Sequence, residues 1–122
     1  MIKQPVLIVD DEPIVRESIA DWLKDAGYQV ATAESGEEAL QMIEQQDFGV
    51  VIMYIRLPGK TGIQVLREIK TAKPQIKSII ITAYSSAELA EEAKKVGAVD
   101  FLIKPIAIDE LEKLIQITLS QI

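Results

Sequence analysis

Cysteine and histidine are both absent from this chain of 122 residues. Without cysteine the protein can form no disulfide bond and no thiolate metal site, which favours the cytoplasm as its location. Without histidine it can use no imidazole as a general base, zinc ligand or phosphate carrier. Enzymes that depend on thiolate or imidazole chemistry are therefore excluded.

Long apolar runs and positive charge are also scarce. No apolar stretch is long enough to span a bilayer and no secretory signal is visible, so we expect no membrane association. Lysine and arginine number 13 against 19 acidic residues, and the net charge of −6 makes the domain itself a poor binder of nucleic acid. The apolar share of 48% is that of an ordinary globular protein, and the length suits one domain, expected over residues 1–122.

Short apolar runs recur along the chain and are separated by segments of helical period. Val6–Val9 is a solid run rich in β-branched residues, as expected of a strand buried on both faces. Further strands are predicted over 28–32, 48–54, 77–82 and 99–103. This alternation, repeated five times, predicts a (βα)5 protein of the α/β class, in which helices cover both sides of a parallel five-stranded sheet.

The segments between the strands carry helix start and stop signals. The first predicted helix, 13–26, begins with Pro13 and ends before Gly27. Its predicted inward residues are Val15, Ile19, Trp22, Leu23 and Ala26. Three later helices begin with pairs that match a capping box, namely Ser35 with Glu38, Thr61 with Gln64, and Ser85 with Glu88. Gly97 is predicted to end the fourth helix, and the fifth is predicted over 108–120.

Polar residues mark the ends of four of the predicted strands. They are Asp10, Asp11, Tyr54, Thr82 and Lys104. In an open parallel sheet the carboxyl ends of the strands meet at one edge, and ligands bind beyond that edge. We therefore expect these five residues to share one site.

The chemistry of this set favours a site for magnesium and a phosphoryl group. Asp10 and Asp11 repel each other, a cost that a divalent cation would remove, and magnesium prefers such oxygen ligands. The alternative is that the pair simply stabilises a helix N-terminus through the backbone dipole. Thr82 offers a hydroxyl, and Lys104, held by the following Pro105, offers a point charge for phosphate. Taken singly, a threonine here is more often structural and a lysine more often solvated.

With these residues in view, the chain resembles the receiver domains of two-component response regulators over essentially its whole length. The resemblance rests on Leu-Ile-Val-Asp-Asp-Glu at 7–12, Ile-Arg-Leu-Pro-Gly at 55–59 with Gly62, Thr-Ala at 82–83, and Phe-Leu-Ile-Lys-Pro at 101–105. It implies a flavodoxin-like, doubly wound sheet with strand order 2-1-3-4-5.

In that family, a partner kinase's phosphohistidine or a small acyl phosphate donates phosphate to an aspartate. By resemblance, Mg²⁺ is held by Asp10, Asp11, the acceptor and the backbone carbonyl of Arg56. The implied contacts to the phosphoryl group are Thr82 and Lys104. The implied donor is a sensor histidine kinase or a phosphotransfer protein.

The resemblance also implies a conformational switch. Thr82 shifts together with an aromatic residue of the fifth strand, and Phe101 matches that position, although Phe101 is equally compatible with a plain core role. The shift reshapes the face formed by the fourth helix, the fifth strand and the fifth helix. We expect this face to bind an output domain, a partner protein or a second copy of the chain.

The acceptor position is where this chain departs from the family, because Tyr54 stands there. A phenol is neutral at pH 7, holds its oxygen further from the backbone than a carboxylate does, and cannot form the acyl phosphate. We expect no phosphorylation at residue 54 and weakened Mg²⁺ binding. One explanation is a single Asp→Tyr substitution in an otherwise competent receiver, favoured because the other site residues are present. The alternative is a naturally degenerate, phosphate-independent protein-interaction module.

A third hypothesis is a small flavodoxin-like or phosphatase-like enzyme with a magnesium–carboxylate site. No glycine-rich phosphate loop follows the first strand, and there is no histidine. Doubly wound sheets host many functions, so the fold class does not decide between these readings. The acidic pair, the threonine and the Lys-Pro pair favour a cytoplasmic receiver that is not an enzyme.

Overall fold

Five strands alternate with five helices in the part of the chain that the structure, a computed structural model, describes: residues 5–55, 61–82, 87–103 and 108–120. The strands are β1 (Val6–Val9), β2 (Val30–Ala33), β3 (Val50–Tyr54), β4 (Lys77–Thr82) and β5 (Asp100–Ile103). The helices are α1 (Pro13–Asp25), α2 (Gly36–Gln45), α3 (Gly62–Ala72), α4 (Ala87–Lys95) and α5 (Ile108–Ser120). The predicted (βα)5 alternation is confirmed.

The strands form a parallel sheet in the order β2-β1-β3-β4-β5. This is the doubly wound, flavodoxin-like order that the family resemblance implies. The register brings the carboxyl ends of the strands to one edge, where Val9 pairs with Met53 and Tyr54 pairs with Ile81. Residues that follow β1, β3 and β4 therefore lie near one another in space.

The sheet separates two apolar clusters. Successive strand residues point to opposite faces, so Ile52 belongs to a cluster with Leu23 of α1 and Ile115 of α5, here called the α1–α5 cluster. Met53 belongs to a second cluster, the α2–α4 cluster, which includes Leu66 of α3. Because both faces are covered, β1 and β3 are buried at every position, which explains their uninterrupted apolar sequence.

Three strands begin later than the apolar pattern predicts. They begin at Val30, Val50 and Asp100 rather than at 28, 48 and 99. Tyr28 and Phe48 are nevertheless buried, in the segments that lead into β2 and β3. The backbone N–H of Tyr28 donates to the carbonyl of Leu23, at the end of α1. At these two positions the apolar pattern predicted burial correctly, although neither residue belongs to a strand. Val99 differs, because its side chain is 42% exposed while its N–H donates to the carbonyl of Ser78 on β4.

Helix α1 begins at Pro13 as predicted, and Gly27, with a φ of +96°, follows its end in the left-handed region that favours glycine. The prediction that Trp22 lies on the inward face was wrong. Its side chain is 45% exposed, and its indole N–H donates to the carboxylate of Glu112 on α5 over 3.1 Å. Trp22 lies at the border of the buried stripe, and Ala20 is buried instead.

The predicted capping boxes have different outcomes. Thr61 and Gln64 form a complete box at the start of α3, since each side chain accepts the other's backbone N–H. At α2, Ser35 accepts from the N–H of Glu38, but the Glu38 carboxylate accepts from Glu34, one residue before the cap. The pair predicted for α4 includes Ser85, which lies outside the described residues.

Gly97, predicted to end α4, follows that helix with a φ of +101°. Among the helices described, none has both the length and the apolar character needed to cross a membrane.

Candidate functional site

Asp10 stands directly after β1 and is buried, with 1% of its surface exposed. It is anchored through three of its atoms. Its N–H donates to the carbonyl of Ala33 over 3.1 Å, and its Oδ1 accepts from the N–H of Glu12 over 3.2 Å. Its carbonyl oxygen accepts from Nη1 of Arg16 over 2.8 Å. The position of this aspartate is thus fixed by both neighbouring elements, β2 and α1.

Asp10, Asp11 and Glu12 together form an acidic cluster at this end of the sheet. One carboxylate oxygen from each residue lies within 4.8 Å of the others, and Asp11 and Glu12 are exposed. Three negative charges this close repel one another, and a small divalent cation would relieve the repulsion. The donor set consists of carboxylate oxygens, which are the ligands that Mg²⁺ prefers. The cluster therefore fits a divalent cation.

Tyr54 ends β3 and is 6% exposed, packed into the α1–α5 cluster. Burial raises the pKa of its phenol above the ordinary value of 10.0, and the negative charges of Asp10 and Glu12 raise that pKa further. The strand register places Tyr54 next to Asp10, since Val9 pairs with Met53. At neutral pH Tyr54 is therefore uncharged and adds no anionic ligand to a cation bound there.

Helix α3 begins in direct contact with the backbone of residue 54. The N–H of Gly62 donates to the carbonyl of Ile55 over 2.7 Å. A Cβ at position 62 would lie 2.6 Å from the carbonyl oxygen of Tyr54, a distance that real side chains do not tolerate. Only glycine permits this approach, so Gly62 lets the capped start of α3 hold the end of β3 in place.

Thr82 ends β4 and is 3% exposed. Phe101 on β5 is partly buried and packs against the α2–α4 cluster. Because Phe101 pairs with Ile80, Thr82 and Phe101 are diagonal neighbours on the same face of adjacent strands. The two residues are thus close in space, and their joint movement stays a prediction. Arg56, Lys104 and Pro105 lie outside the described residues.

The residue pattern predicts no role for Arg16, and it indicates Gly62 only as part of the family resemblance. A usable signal for Arg16 was its place one turn after Glu12, where a long basic side chain reaches back over the helix start. The contact of Gly62 with residue 54 depends on how the loop between β3 and α3 returns, and local pattern does not contain that information.

A parallel sheet of this order, with carboxylates after β1 and a hydroxyl at the end of β4, defines the class of CheY-like signalling domains. The chain belongs to the response regulator receiver domain family, whose sequence model matches residues 6–116. It is thus a receiver domain of two-component signal transduction.

Among curated proteins, the transcriptional regulatory protein ZraR of Escherichia coli K12 is 41% identical over 115 residues, which cover 94% of this chain and 26% of that protein. A cyclic di-GMP phosphodiesterase of Thermotoga maritima is 38% identical over 106 residues, covering 87% of this chain and 28% of that protein. The chain therefore spans about a quarter of the length of these curated relatives.

Among solved structures, a CheY-like receiver domain protein of Methanospirillum hungatei superimposes with a TM-score of 0.94 at 29% identity, over 98% of this chain and 95% of that one. The beryllofluoride-activated NtrC4 receiver domain dimer gives a TM-score of 0.91 at 31% identity, over 96% and 97% of the two chains.

Proposed function

We propose that this chain is a receiver whose phosphorylation is blocked at the acceptor position by Tyr54, and that its parent sequence carries aspartate there. The observation that carries the proposal is the placement of Tyr54. It lies at the end of β3, buried, beside an acidic cluster that it does not complete. A carboxylate at the same position would join Asp10 and Asp11 as an anionic ligand.

The proposed parent site assigns a role to each predicted residue. Asp10 and Asp11 would hold Mg²⁺ with the acceptor and the backbone carbonyl of Arg56. The bound ion would neutralise charge that accumulates on the phosphoryl oxygens. Thr82 and Lys104 would contact those oxygens. Of these, Asp10 and Thr82 are buried and held at the sheet edge, which suits groups that must be oriented before phosphate arrives.

Tyr54 prevents this chemistry for two reasons. Its phenol remains protonated at neutral pH because burial and adjacent negative charge raise its pKa. A neutral phenol is both a weak nucleophile and a weak Mg²⁺ ligand. Its ring, 6% exposed within the α1–α5 cluster, is also poorly accessible to a protein tyrosine kinase. We therefore expect no phosphate on Tyr54 itself.

The partners we propose are those of the family. A sensor histidine kinase or a phosphotransfer protein would donate phosphate to the parent, and Thr82 and Phe101 would relay the change to the face formed by α4, β5 and α5. That face would meet an output domain, a partner protein or a second copy, and the NtrC4 relative is described as a dimer. We propose that residues 1–122 form one cytoplasmic domain that has no enzymatic activity and does not itself bind membrane or nucleic acid.

A naturally degenerate interaction module is the second candidate. The observation in its favour is that Tyr54 packs well, since its side chain is buried among apolar residues of the α1–α5 cluster. In such a module the side chain of residue 54 would only pack in the apolar core. Placing a carboxylate there would then not enable the chain to accept phosphate.

The two candidates are separated by giving the Tyr54→Asp chain Mg²⁺ and a small acyl phosphate and measuring its intact mass. The silenced-receiver proposal predicts the gain of one phosphoryl group. Tyr54→Asn is the matched control, because asparagine has nearly the same shape as aspartate but carries no carboxylate. This variant should gain no phosphoryl group. If Tyr54→Asp also gains nothing while remaining folded, the degenerate module is the better account.

A further inference from the structure

Helix α1 begins without the side-chain cap that supports its neighbours. At α2 and α3, the hydroxyls of Ser35 and Thr61 accept backbone N–H groups of the first turn. At α1 the N-cap residue is Glu12, and its side chain makes no capping hydrogen bond. The turn between β1 and α1 must therefore be held in another way.

Arg16 supplies a hydrogen bond at this turn. Its Nη1 donates to the main-chain carbonyl of Asp10 over 2.8 Å, while its own backbone N–H donates to the carbonyl of Glu12 over 3.0 Å. The side chain thus ties the first turn of α1 back to Asp10, the first residue of the acidic cluster. The same turn is also stabilised by the hydrogen bond from the N–H of Glu12 to Oδ1 of Asp10.

We propose that Arg16 is a positioning residue for divalent-cation binding: it fixes the turn after β1 so that the carboxylates of Asp10 and Asp11 converge on one point. This inference rests on the proposed function, in which the acidic cluster holds Mg²⁺. Arg16 acts through the backbone of Asp10 and does not itself touch the cation. Residues that orient metal ligands contribute strongly to affinity although they lie outside the ligand set.

Positioning and simple electrostatics predict opposite results for a neutral residue at position 16. A guanidinium close to the cluster repels a divalent cation, so removing its charge should tighten binding if charge is what matters. If Arg16 holds the turn, its removal lets the carboxylates move apart and weakens binding. The sign of the change therefore distinguishes the two effects.

The test uses the Tyr54→Asp chain as parent and titrates it with magnesium chloride in a calorimeter. Adding Arg16→Met should weaken Mg²⁺ binding about tenfold, the lower end of the usual effect of losing a residue that orients a ligand. Arg67→Met is the matched control: Arg67 is an exposed arginine on α3 that pairs with Glu92, so the same net charge is removed at a residue with no contact to the turn. Arg67→Met should leave the affinity unchanged.

Urea unfolding of the same variants separates positioning from a structural role. A loss of stability with parental Mg²⁺ affinity would make Arg16 purely structural and overturn the inference, as would tighter binding. If Arg16→Met fails to fold, Arg16→Gln replaces it, and the same weakening of Mg²⁺ binding is expected. If the Tyr54→Asp parent binds no Mg²⁺, the proposed function fails and this inference falls with it. If the parent binds and Arg16→Met binds equally well, only the inference about Arg16 is wrong.

Discussion

At residue 54, burial and charge act in the same direction. The apolar cluster favours the neutral phenol, and the nearby acidic side chains disfavour the phenolate, so the pKa rises for both reasons. The sequence predicted a neutral phenol at the end of the third strand. That its ring is buried in the cluster between the sheet and helices α1 and α5 depends on tertiary packing, and the residue pattern did not reveal it.

The raised pKa of Tyr54 predicts an alkaline loss of stability. Above the ordinary phenol value of 10.0, the unfolded chain loses this proton while the folded protein keeps it. The stabilising contribution is therefore complete below that pH and is lost as the pH rises through the raised pKa. The free energy of unfolding should fall more steeply above pH 10 in the unaltered chain than in Tyr54→Phe. Urea unfolding at a series of alkaline pH values measures both slopes, and equal slopes would contradict the account.

Gly62 gives a second prediction at this scale. Replacing it with alanine should lower the free energy of unfolding by about 1–3 kcal/mol, because the added methyl group meets the backbone of Tyr54 and Ile55 rather than a flexible side chain. Chemical denaturation measures the change. Position 62 begins a helix, where alanine is intrinsically better than glycine, so an unchanged or higher stability would show that the backbone can move aside at little cost.

At the scale of single elements, local signals predicted helices better than strand ends. The Thr61 and Gln64 box needs only neighbouring residues, and it formed as predicted. The apolar runs that include Tyr28 and Phe48 predicted burial correctly but placed the start of β2 and β3 two residues early. A strand boundary is set by where backbone pairing begins, and pairing depends on a distant part of the chain.

The capping box predicts a measurable contribution to stability. Thr61→Ala removes the acceptor for the N–H of Gln64 and should cost about 1 kcal/mol. Thr71→Ala on the same helix is the control, because its hydroxyl bonds to the carbonyl of Arg67 at an exposed position and alanine favours the helix. Urea unfolding of the two variants should differ clearly. Equal stabilities would mean that the box contributes nothing measurable.

For the molecule as a whole, the alternation of strand and helix was enough to predict the fold class, and the family resemblance supplied the strand order. The gathering of Asp10, Tyr54 and Thr82 at one edge followed from that topology, since parallel strands end together. The contact of Arg16 with the carbonyl of Asp10 did not follow, because the path of the turn after β1 also depends on the hydrogen bond from the Asp10 N–H to Ala33 on β2.

The same topology predicts that residue 54 couples stability to Mg²⁺. Without Mg²⁺, Tyr54→Asp should be less stable than the unaltered chain by about 2–4 kcal/mol, since a buried ring is lost and a charge is added near Asp10 and Glu12. Mg²⁺ at roughly 100 times its Kd should raise the free energy of unfolding of Tyr54→Asp by about 2.7 kcal/mol. The unaltered chain and Tyr54→Asn should gain much less. Thermal and urea unfolding measure this, and an equal gain in all three would contradict a role for the carboxylate.

The central claim is that residue 54 separates this chain from a working receiver. Intact mass spectrometry after incubation with Mg²⁺ and a small acyl phosphate tests it most directly, with the unaltered chain and Tyr54→Asp treated side by side and a chelator added to a duplicate of each. The account predicts one phosphoryl group on Tyr54→Asp, dependent on Mg²⁺ and mapped to residue 54, and none on the unaltered chain. A phosphoryl group on the unaltered chain would contradict it, and Asp10 and Asp11 would then be the residues to map first.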